Sequence, residues 1–340
     1  MKVLLIGGGT GGHILPLKNL AEALLRKHAE VEIVVADSPL DRAMIQQNFS
    51  GIPIHFFKTG KIRRYFSLQN VVDAFLILKA VIAAKNLLKK TKPDVLFFKG
   101  GFVGFPFFVA VKFLMRFKGK IYSHESDISA GVLTKMVEKI SHQTFRNFGN
   151  SAFPLFYTPP LRGRAEKPQQ KGKNVLLLGG SQGAGFLNNL SLQCHDKLLE
   201  KYAVTLLTGR GKKVAIRHDN FEQFELLPAS EIAEKISESD LVISRGGANS
   251  LLEIIYAKKQ SIIIPLPSVA RNHQLLNAKY FEKKGLCRVL EERHATSANL
   301  LKTIMEVLND KKMRTALDKY DLHNAAGKIA EKMMGRRIEG

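Results

Sequence analysis

Short runs of apolar residues recur along the chain, and each run ends in glycine or polar residues. They lie at 2–6, 31–36, 94–98 and 120–123 in the first half, and at 174–178, 203–209, 240–244 and 261–267 in the second. The stretches between them carry the apolar spacing of helices, as in Leu17, Leu20, Ala21, Leu24 and Leu25 after the first run. Strands that alternate with helices predict an α/β fold with parallel sheets.

This pattern starts twice. The first run leads into a glycine turn, residues 7–13, and the run at 174–178 leads into a second one at 179–185. Between the halves, residues 158–173 are rich in proline, lysine and glutamine, which is typical of a linker. We therefore expect two tandem Rossmann-like domains. Such sheets bind ligands at the carboxyl ends of their strands, so the glycine turns of both halves are expected to face a shared interdomain cleft.

The charge of the chain narrows the choice of partners. With 340 residues, 52 Lys and Arg against 30 Asp and Glu leave a net charge of +22. That excess favours an anionic partner: a phosphorylated ligand, an anionic membrane surface or nucleic acid. The chain has no tryptophan and no recognisable nucleic-acid-binding module, which weighs against nucleic acid.

Cysteine content and hydropathy exclude further classes of protein. Two cysteines, Cys194 and Cys287, exclude a disulfide framework or a cysteine-based zinc cluster and favour the cytoplasm. No run of about 20 residues is apolar enough to span a membrane.

The first glycine turn allows two interpretations. Residues 7–12 satisfy the GxGxxG pattern and Asp37 ends the second strand, so a nicotinamide-dinucleotide-dependent oxidoreductase must be considered. More generally, glycines let backbone N–H groups approach a phosphate. The turn at 179–183 can do the same. Two such turns fit a reaction between two phosphorylated molecules better than a single hydride cofactor.

Two residues of the first half are candidates for catalysis. His13 lies in the first turn of a helix, where the positive helix end favours the neutral imidazole that a general base requires. Glu125 follows another strand beside His124 and suits either a catalytic carboxylate or a structural hydrogen-bonding role.

Candidate ligand contacts in the second half surround two further turns. Glu253, early in the helix after the strand at 240–244, is placed to accept both hydroxyls of a ribose, although a solvated glutamate has the same spacing. The amides of Asn272 to Asn277 suit sugar hydroxyls. No Asp-x-Asp motif is present, so no metal and no cofactor are expected, and Arg162 and helix ends would stabilise a leaving phosphate.

Residues 58–92 carry nine cations and one acid, Asp73. Near the start of this stretch, apolar and basic side chains alternate outside any clear helical pattern: Lys61, Ile62, Arg63, Arg64, Tyr65 and Phe66. Basic residues around exposed apolar ones predict an anchor to anionic lipid. The apolar residues of the later half fit a core-facing helical stripe equally well.

Six motifs occur in a fixed order through the chain: GGGTGGH, KGGFVGFP, HESD, GGSQGA, RGGANSLLE and NHQLLNA. The ordered set resembles the MurG family of peripheral-membrane N-acetylglucosaminyltransferases. The resemblance implies a GT-B fold, transfer of GlcNAc from UDP-GlcNAc to the C4 hydroxyl of MurNAc in lipid I with inversion, and no essential metal. The resemblance further implies that the product is lipid II for peptidoglycan synthesis and that the protein acts at the cytoplasmic face of the plasma membrane.

The resemblance also implies roles for individual residues. Thr10, Gly11 and Gly12 match the turn that approaches donor sugar and acceptor, and His13 matches the candidate base. Asp127 and Arg162 match positions near the donor, Ser181 with Gln182 the diphosphate turn, and Gln274 a sugar contact. The nucleotide-binding turn corresponds to Ala248, Asn249, Ser250, Leu251, Leu252 and Glu253. One departure concerns the donor contact, because Ser126-Asp127 replaces the usual Gln-Asn, and a carboxylate cannot donate the hydrogen bonds of an amide.

The expected organisation is an acceptor- and membrane-facing domain at 1–160, a UDP-GlcNAc-binding domain at 161–322, and a C-terminal helix at 323–340 that packs back on the first domain. The expected partners are UDP-GlcNAc, lipid I and anionic inner-leaflet lipids, without nucleic acid. A related transferase with another UDP-sugar or lipid acceptor remains the first alternative, ahead of the oxidoreductase.

Overall fold

The computed structural model describes residues 1–60, 69–159, 173–179, 183–267 and 272–335, and only the backbone of 69–74. The chain folds as two compact units: residues 1–157 together with 324–340, and residues 158–323. Each unit contains a six-stranded parallel sheet. The predicted α/β fold class is therefore confirmed.

The first unit has the strand order β3-β2-β1-β4-β5-β6. Its strands are β1 (Lys2–Gly7), β2 (Glu30–Ala36), β3 (Ile54–Phe57), β4 (Val95–Gly100), β5 (Lys120–Glu125) and β6 (Gln143–Arg146). Its helices are α1 (Gly11–Leu25), α2 (Pro39–Asn48), α3 (Gln69–Thr91), α4 (Gly104–Val109) with a π-helical turn (Ala110–Leu114), α5 (Val132–Glu138) and, from the end of the chain, α12 (Ala326–Met333).

The central strands carry uninterrupted apolar runs, Val3 to Ile6 in β1 and Val95 to Phe98 in β4, because helices cover both faces of the sheet. Successive side chains of β1 alternate between two cores: Val3 and Leu5 pack with α1, α2 and α12, whereas Leu4 and Ile6 pack with α3 and α4. The first core includes Ile329 of α12. The last helix of the chain thus completes the hydrophobic core of the first unit.

Polar contacts hold α12 in place as well. The Ala325 N–H donates to the Pro154 carbonyl at 2.7 Å, and the Tyr122 hydroxyl donates to the Lys332 carbonyl at 3.2 Å. These bonds satisfy backbone groups at both ends of the helix.

The second unit repeats the arrangement with the order β12-β11-β10-β7-β8-β9. Its strands are β7 (Lys173–Leu178), β8 (Tyr202–Leu207), β9 (Phe221–Phe224), β10 (Leu241–Ser244), β11 (Gln260–Ile263) and β12 (Arg288–Val289). Its helices are α6 (Gly185–Leu199), α7 (Ala229–Glu238), α8 (Ala248–Tyr256), α9 (His273–Glu282), α10 (Ser297–Leu308) and α11 (Lys311–Lys319), with a 3-10 turn (Glu292–His294).

The structure corrects one predicted boundary that matters for the site. The strand that begins at Lys120 continues through His124 and Glu125, which were expected to follow it. These two residues pair with Phe145 and Arg146 of β6, a strand too short and polar to be recognised from its sequence. Because neighbouring strand residues point to opposite faces, His124 and Glu125 project in different directions.

Both sheets place a pair of glycine-bearing turns at the point where strand order reverses. In the first unit the chain moves outward from β1 to β3 and then returns to β4 beside β1, and in the second β10 returns beside β7. The turns after these strands lie at the carboxyl edge next to this switch point, which is where open α/β sheets bind ligands.

The two turns of the first unit are in backbone contact. A Cβ atom on Gly101, whose φ is +85°, would lie 2.0 Å from the Gly8 carbonyl oxygen. No side chain fits there, so glycine is required by both the close approach and the left-handed backbone.

We expect Gly101→Ala to lower the free energy of unfolding by on the order of 3 kcal/mol or more, through steric clash and backbone strain together. Gly51→Ala is the matched control, because Gly51 also has a positive φ (+70°) but no atom within 4 Å of its Cβ position. Strain alone should cost the control about 1 kcal/mol. Equal losses for the two variants in urea denaturation would contradict the requirement for close contact.

Candidate functional site

His13 lies at the switch point of the first sheet, in the first turn of α1. Its Nδ1 is 3.2 Å from Thr10 Oγ1, and its Nε2 faces Gly100, where a Cβ would be only 3.2 Å away. Gly100 has a φ of +105°. Glycine at this position keeps the turn after β4 from covering Nε2. The fold therefore brings Thr10, Gly11, Gly12 and His13 together with the KGG turn.

A buried lysine lies directly before that turn. Lys99 at the end of β4 is 1% exposed, and its ammonium contacts His124 Nδ1 at 3.2 Å and Ser126 Oγ. Lys99 is not among the site residues predicted from the sequence, since a lysine at the end of a predicted strand is usually exposed. Its position directly after four apolar strand residues and directly before two glycines was the feature of the sequence that could have indicated burial.

Glu125 uses both carboxylate oxygens on the loop that follows β5. Oε1 accepts the Asp127 N–H at 3.1 Å, and Oε2 accepts the Gly131 N–H at 2.8 Å. The same loop is fixed by Asn147, whose side-chain amide donates to the Ser126 carbonyl at 3.0 Å. These contacts match the structural alternative for Glu125 and leave its catalytic role untested.

The carboxylate of Asp41 is hydrogen-bonded to the backbone of the first glycine turn. Asp41 is fully buried, and its Oδ2 accepts the N–H groups of Gly9 at 2.8 Å and Ala36 at 3.1 Å. Asp37, the expected ribose-binding acid of a dinucleotide enzyme, pairs with Arg42 Nε at 2.7 Å. A turn amide bound to an internal carboxylate is poorly placed to bind a cofactor phosphate as well. The oxidoreductase alternative loses support from both contacts.

Burial and the positive charge of Lys99 both lower the pKa values of His13 and His124. Burial, and then the charge of Lys99, hold the pKa of His13 below its ordinary value, although Asp127, Glu125 and the Gly8 carbonyl act the opposite way. The pKa of His124 is held well below its ordinary value by burial and by Lys99. Both imidazoles are therefore neutral at pH 7.

In the second unit, the segment Ala248–Glu253 forms the start of α8 directly after the turn that follows β10. Ala248, Leu251 and Leu252 are buried in the core, whereas Asn249, Ser250 and Glu253 are partly exposed. The N-cap residue of α8 is Gly247, which has no side chain with which to cap the helix. Side-chain contacts with a ligand can therefore come from Asn249, Ser250 and Glu253, and the other positions can offer only backbone groups.

Gln274 belongs to the same cluster. A Cβ on Gly246 would lie 2.4 Å from the Gln274 carbonyl oxygen, so the start of α9 rests on the turn before α8. The buried Asn277 donates to the Gly246 carbonyl at 3.2 Å, and Gln274 Oε1 accepts the Leu266 N–H at 3.0 Å. The predicted nucleotide turn and the predicted sugar contact are thus adjacent.

Arg245 is a further residue at this edge that the sequence analysis did not select. Its Nη2 forms an ion pair with Glu292, and its guanidinium lies 5.6 Å from the centroid of the Phe186 ring. Its buried Nη1 has no hydrogen-bond partner within the described part of the chain. In the sequence, residues 245–247 were recognised as a glycine turn, but this pattern did not indicate a role for the Arg245 side chain.

Several predicted site residues lie outside the described residues. They are the donor-site candidates Arg162, Ser181 and Gln182, and the membrane candidates Lys61, Ile62, Arg63, Arg64, Tyr65 and Phe66. Gly183, which ends the second glycine turn, has a φ of +69°, and a Cβ there would lie 2.3 Å from the Thr208 carbonyl oxygen. The end of that turn thus packs against the segment after β8.

Family models match both halves of the chain. Residues 3–146 match the N-terminal domain of glycosyltransferase family 28, and residues 174–333 match its C-terminal domain. Relatives named UDP-N-acetylglucosamine--N-acetylmuramyl-(pentapeptide) pyrophosphoryl-undecaprenol N-acetylglucosamine transferase come from Clostridium tetani and Staphylococcus carnosus. The first is 34% identical, with 86% of this chain and 85% of the relative covered. The second is 32% identical, with 90% and 89% covered.

Solved structures share the fold. The crystal structure of Acinetobacter baumannii MurG superposes with a TM-score of 0.72 at 22% identity, covering 98% of this chain and 99% of that one. The glycosyltransferase SnogD from Streptomyces nogalater gives a TM-score of 0.69 at 16% identity, with 98% and 99% covered.

Two parallel sheets with these neighbours define a GT-B glycosyltransferase fold. The chain belongs to glycosyltransferase family 28 and, within it, to the MurG family of N-acetylglucosamine transferases. The resemblance and the enzyme class expected from the ordered motifs are confirmed.

Proposed function

We propose that this protein transfers GlcNAc from UDP-GlcNAc to the C4 hydroxyl of MurNAc in lipid I, with inversion, and so forms lipid II. The observation that carries the proposal is the name shared by relatives at 31–34% identity over most of the chain. The two clusters described above supply the chemistry: a neutral imidazole in the first unit and a nucleotide-binding edge in the second.

We assign proton removal to His13. In this assignment Nδ1 carries the ring proton and donates it to Thr10 Oγ1, 3.2 Å away, and Nε2 accepts the proton of the acceptor hydroxyl. The hydroxyl oxygen then attacks the anomeric carbon as the bond to UDP breaks on the opposite face, which inverts the configuration. Neutrality at pH 7 is what this role requires, and burial next to Lys99 provides it.

We assign donor binding to the second unit. Glu253 accepts the ribose hydroxyls, Gln274 contacts the sugar, and the N-terminus of α8, whose N-cap residue is Gly247, faces the negative charge of UDP. Charge on the leaving diphosphate grows as the glycosidic bond breaks, and fixed backbone dipoles stabilise it without reorganisation. Arg162, Ser181 and Gln182 complete this proposed site.

We expect Glu253→Ala to weaken UDP binding by on the order of 1.5–3 kcal/mol, because two charge-assisted hydrogen bonds to the ribose are lost. Calorimetric titration with UDP measures the effect. Glu200→Ala, an exposed glutamate after α6 in the same unit, serves as the control. An unchanged dissociation constant for the folded Glu253 variant would remove this residue from the donor site.

We expect His13→Ala to reduce turnover roughly 100-fold or more, the usual effect of losing a general base, while UDP affinity in the other unit stays unchanged. Transfer of labelled GlcNAc from UDP-GlcNAc to a lipid I analogue measures turnover, and the exposed His323→Ala controls for loss of any histidine. Turnover within a few-fold of wild type would shift the search for the base to Glu125. Replacing UDP-GlcNAc by other UDP-sugars in the wild-type assay tests the related-transferase alternative.

We further propose that the first unit binds the anionic cytoplasmic face of the membrane as a peripheral protein. Helix α3 presents two apolar faces: Ala84 and Leu88 pack in the core, whereas Phe75 and Leu78 are 57% and 58% exposed. Phe113 in the π-helical turn, which packs beside α3, is 66% exposed. Water-exposed apolar clusters of this kind are typical of interaction surfaces.

The charges around these side chains favour an anionic surface as the partner. Lys79 lies 4.5 Å from the Phe75 ring centroid and Lys112 lies 5.2 Å from that of Phe113. A cavity of about 620 Å³ opens next to the π-helical turn, and cations from two segments line it: Lys89, Lys92, Arg116, Lys118 and Lys120. Asp94 is the only acid in the sequence from 74 to 124. Cations flanking apolar side chains bind anionic headgroups at about 1 kcal/mol each.

None of the helices in the described ranges is both long and apolar enough to cross a bilayer. The anchor predicted from the sequence at Lys61–Phe66 lies outside the described residues and remains a prediction.

We expect the triple variant Phe75→Ser, Leu78→Ser, Phe113→Ser to lose most of its sedimentation with vesicles that contain phosphatidylglycerol. Binding of the wild type should fall as salt rises, because the lipid charge is screened. Met305→Ser, an exposed apolar residue of the second unit (45%), is the control. Equal sedimentation of the triple variant and wild type would exclude this surface as the membrane contact.

A further inference from the structure

The hydrogen bonds around Lys99 determine which groups carry protons. His124 Nε2 lies 3.0 Å from the Phe153 carbonyl oxygen, which can only accept a hydrogen bond. Nε2 therefore carries the proton, and Nδ1 of the neutral ring is an acceptor. The Lys99 ammonium, 3.2 Å from Nδ1, is the donor to His124.

The second partner of Lys99 is also neutral. Its ammonium contacts the Ser126 hydroxyl, and in the described part of the chain it forms no ion pair within 4.0 Å. A buried ammonium without a paired carboxylate is costly. Burial lowers the pKa of Lys99 to about 8, although Glu125 and Asp127 raise it. The fold thus holds a positive charge in the interior for which its hydrogen bonds alone do not compensate.

Charges of both signs act on His13 from the elements around it. Lys99 on β4 disfavours protonation of the imidazole, whereas Asp127 in the loop after β5 and Glu125 at its end favour it. Glu125 also bonds two loop amides, one of them the N–H of Asp127. Asp127 directly follows Ser126, whose hydroxyl contacts the Lys99 ammonium, so a carboxylate and an ammonium that act on His13 in opposite directions belong to one connected group.

We propose that Lys99 is a positioning residue that fixes His124 and the Ser126–Asp127 segment and whose charge cancels that of Asp127 at His13, so that His13 remains free to accept a proton. This inference rests on the proposed function for its catalytic consequence, but the electrostatic relation between the three residues is independent of it. A carboxylate at position 127 alone would favour the imidazolium, which cannot act as a base.

The electrostatic relation is tested by NMR titration of the His13 ring in the full-length protein, without substrate. Lys99→Met should raise the pKa of His13, Asp127→Asn should lower it, and the double variant should return it toward the wild-type midpoint. Lys139→Met, an exposed lysine of the first unit, should leave it unchanged. Thermal unfolding and UDP binding by the second unit check that each variant is folded.

An unchanged His13 midpoint in folded Lys99→Met overturns the inference. If that variant does not fold, Asp127→Asn with the wild-type lysine decides, because an unchanged midpoint there overturns it equally.

The catalytic consequence is tested by the pH profile of kcat/KM with UDP-GlcNAc and a lipid I analogue. In Lys99→Met the acidic limb should move to higher pH, with a loss of roughly threefold or more at pH 6 relative to pH 8. Lys99→Arg, which keeps the charge, should restore the wild-type profile. A shifted NMR midpoint without a shifted profile supports the inference and contradicts the assignment of His13 as base. An unshifted midpoint with a large effect of His13→Ala contradicts the inference and supports that assignment.

Discussion

The contact between two backbone turns at the switch point of the first sheet governs the geometry of the candidate catalytic cluster. The turn after β1 and the turn after β4 approach so closely that Gly101 has no room for a Cβ beside the Gly8 carbonyl. This approach places His13 Nε2 over Gly100. A side chain on Gly101 would push the turns apart, and one on Gly100 would press on the imidazole. The position of the imidazole therefore depends on backbone packing as much as on α1.

Two buried side chains of opposite charge, Asp41 and Lys99, lie next to that contact. Asp41 accepts the N–H of Gly9 in the first turn and the N–H of Ala36 at the end of β2, while Lys99 at the end of β4 binds neutral groups. Interior charges are tolerated when hydrogen bonds or nearby opposite charges compensate them. The negative charge under the turn is bonded to N–H groups, and the positive charge beside it is opposed by Glu125 and Asp127. The neutral state of His13 results from this balance together with burial.

Helix α3 has apolar residues both on the face that packs in the core and on the face that is exposed to solvent. Its inner face is small and apolar, with Ala80, Val81 and Ala84 against the sheet layer, and its outer face carries Phe75 and Leu78. A helix that is apolar on both faces is normally buried. Here the outer face has lysines along it and is exposed in the first unit, which is the property that a lipid surface would require.

The sequence by itself determined the repeated α/β pattern, the two pairs of glycine turns and the position of His13 in the first turn of a helix, because apolar periodicity and glycines report directly on burial and chain reversal. The ordered motifs determined the family. Only the tertiary structure decided that His124 and Glu125 lie inside β5, since this depends on pairing with the short, polar edge strand β6. It also decided the contacts of Lys99 and Asp41, because the partners of a buried charge come from other strands and loops, and a local pattern of apolar and polar residues does not specify them.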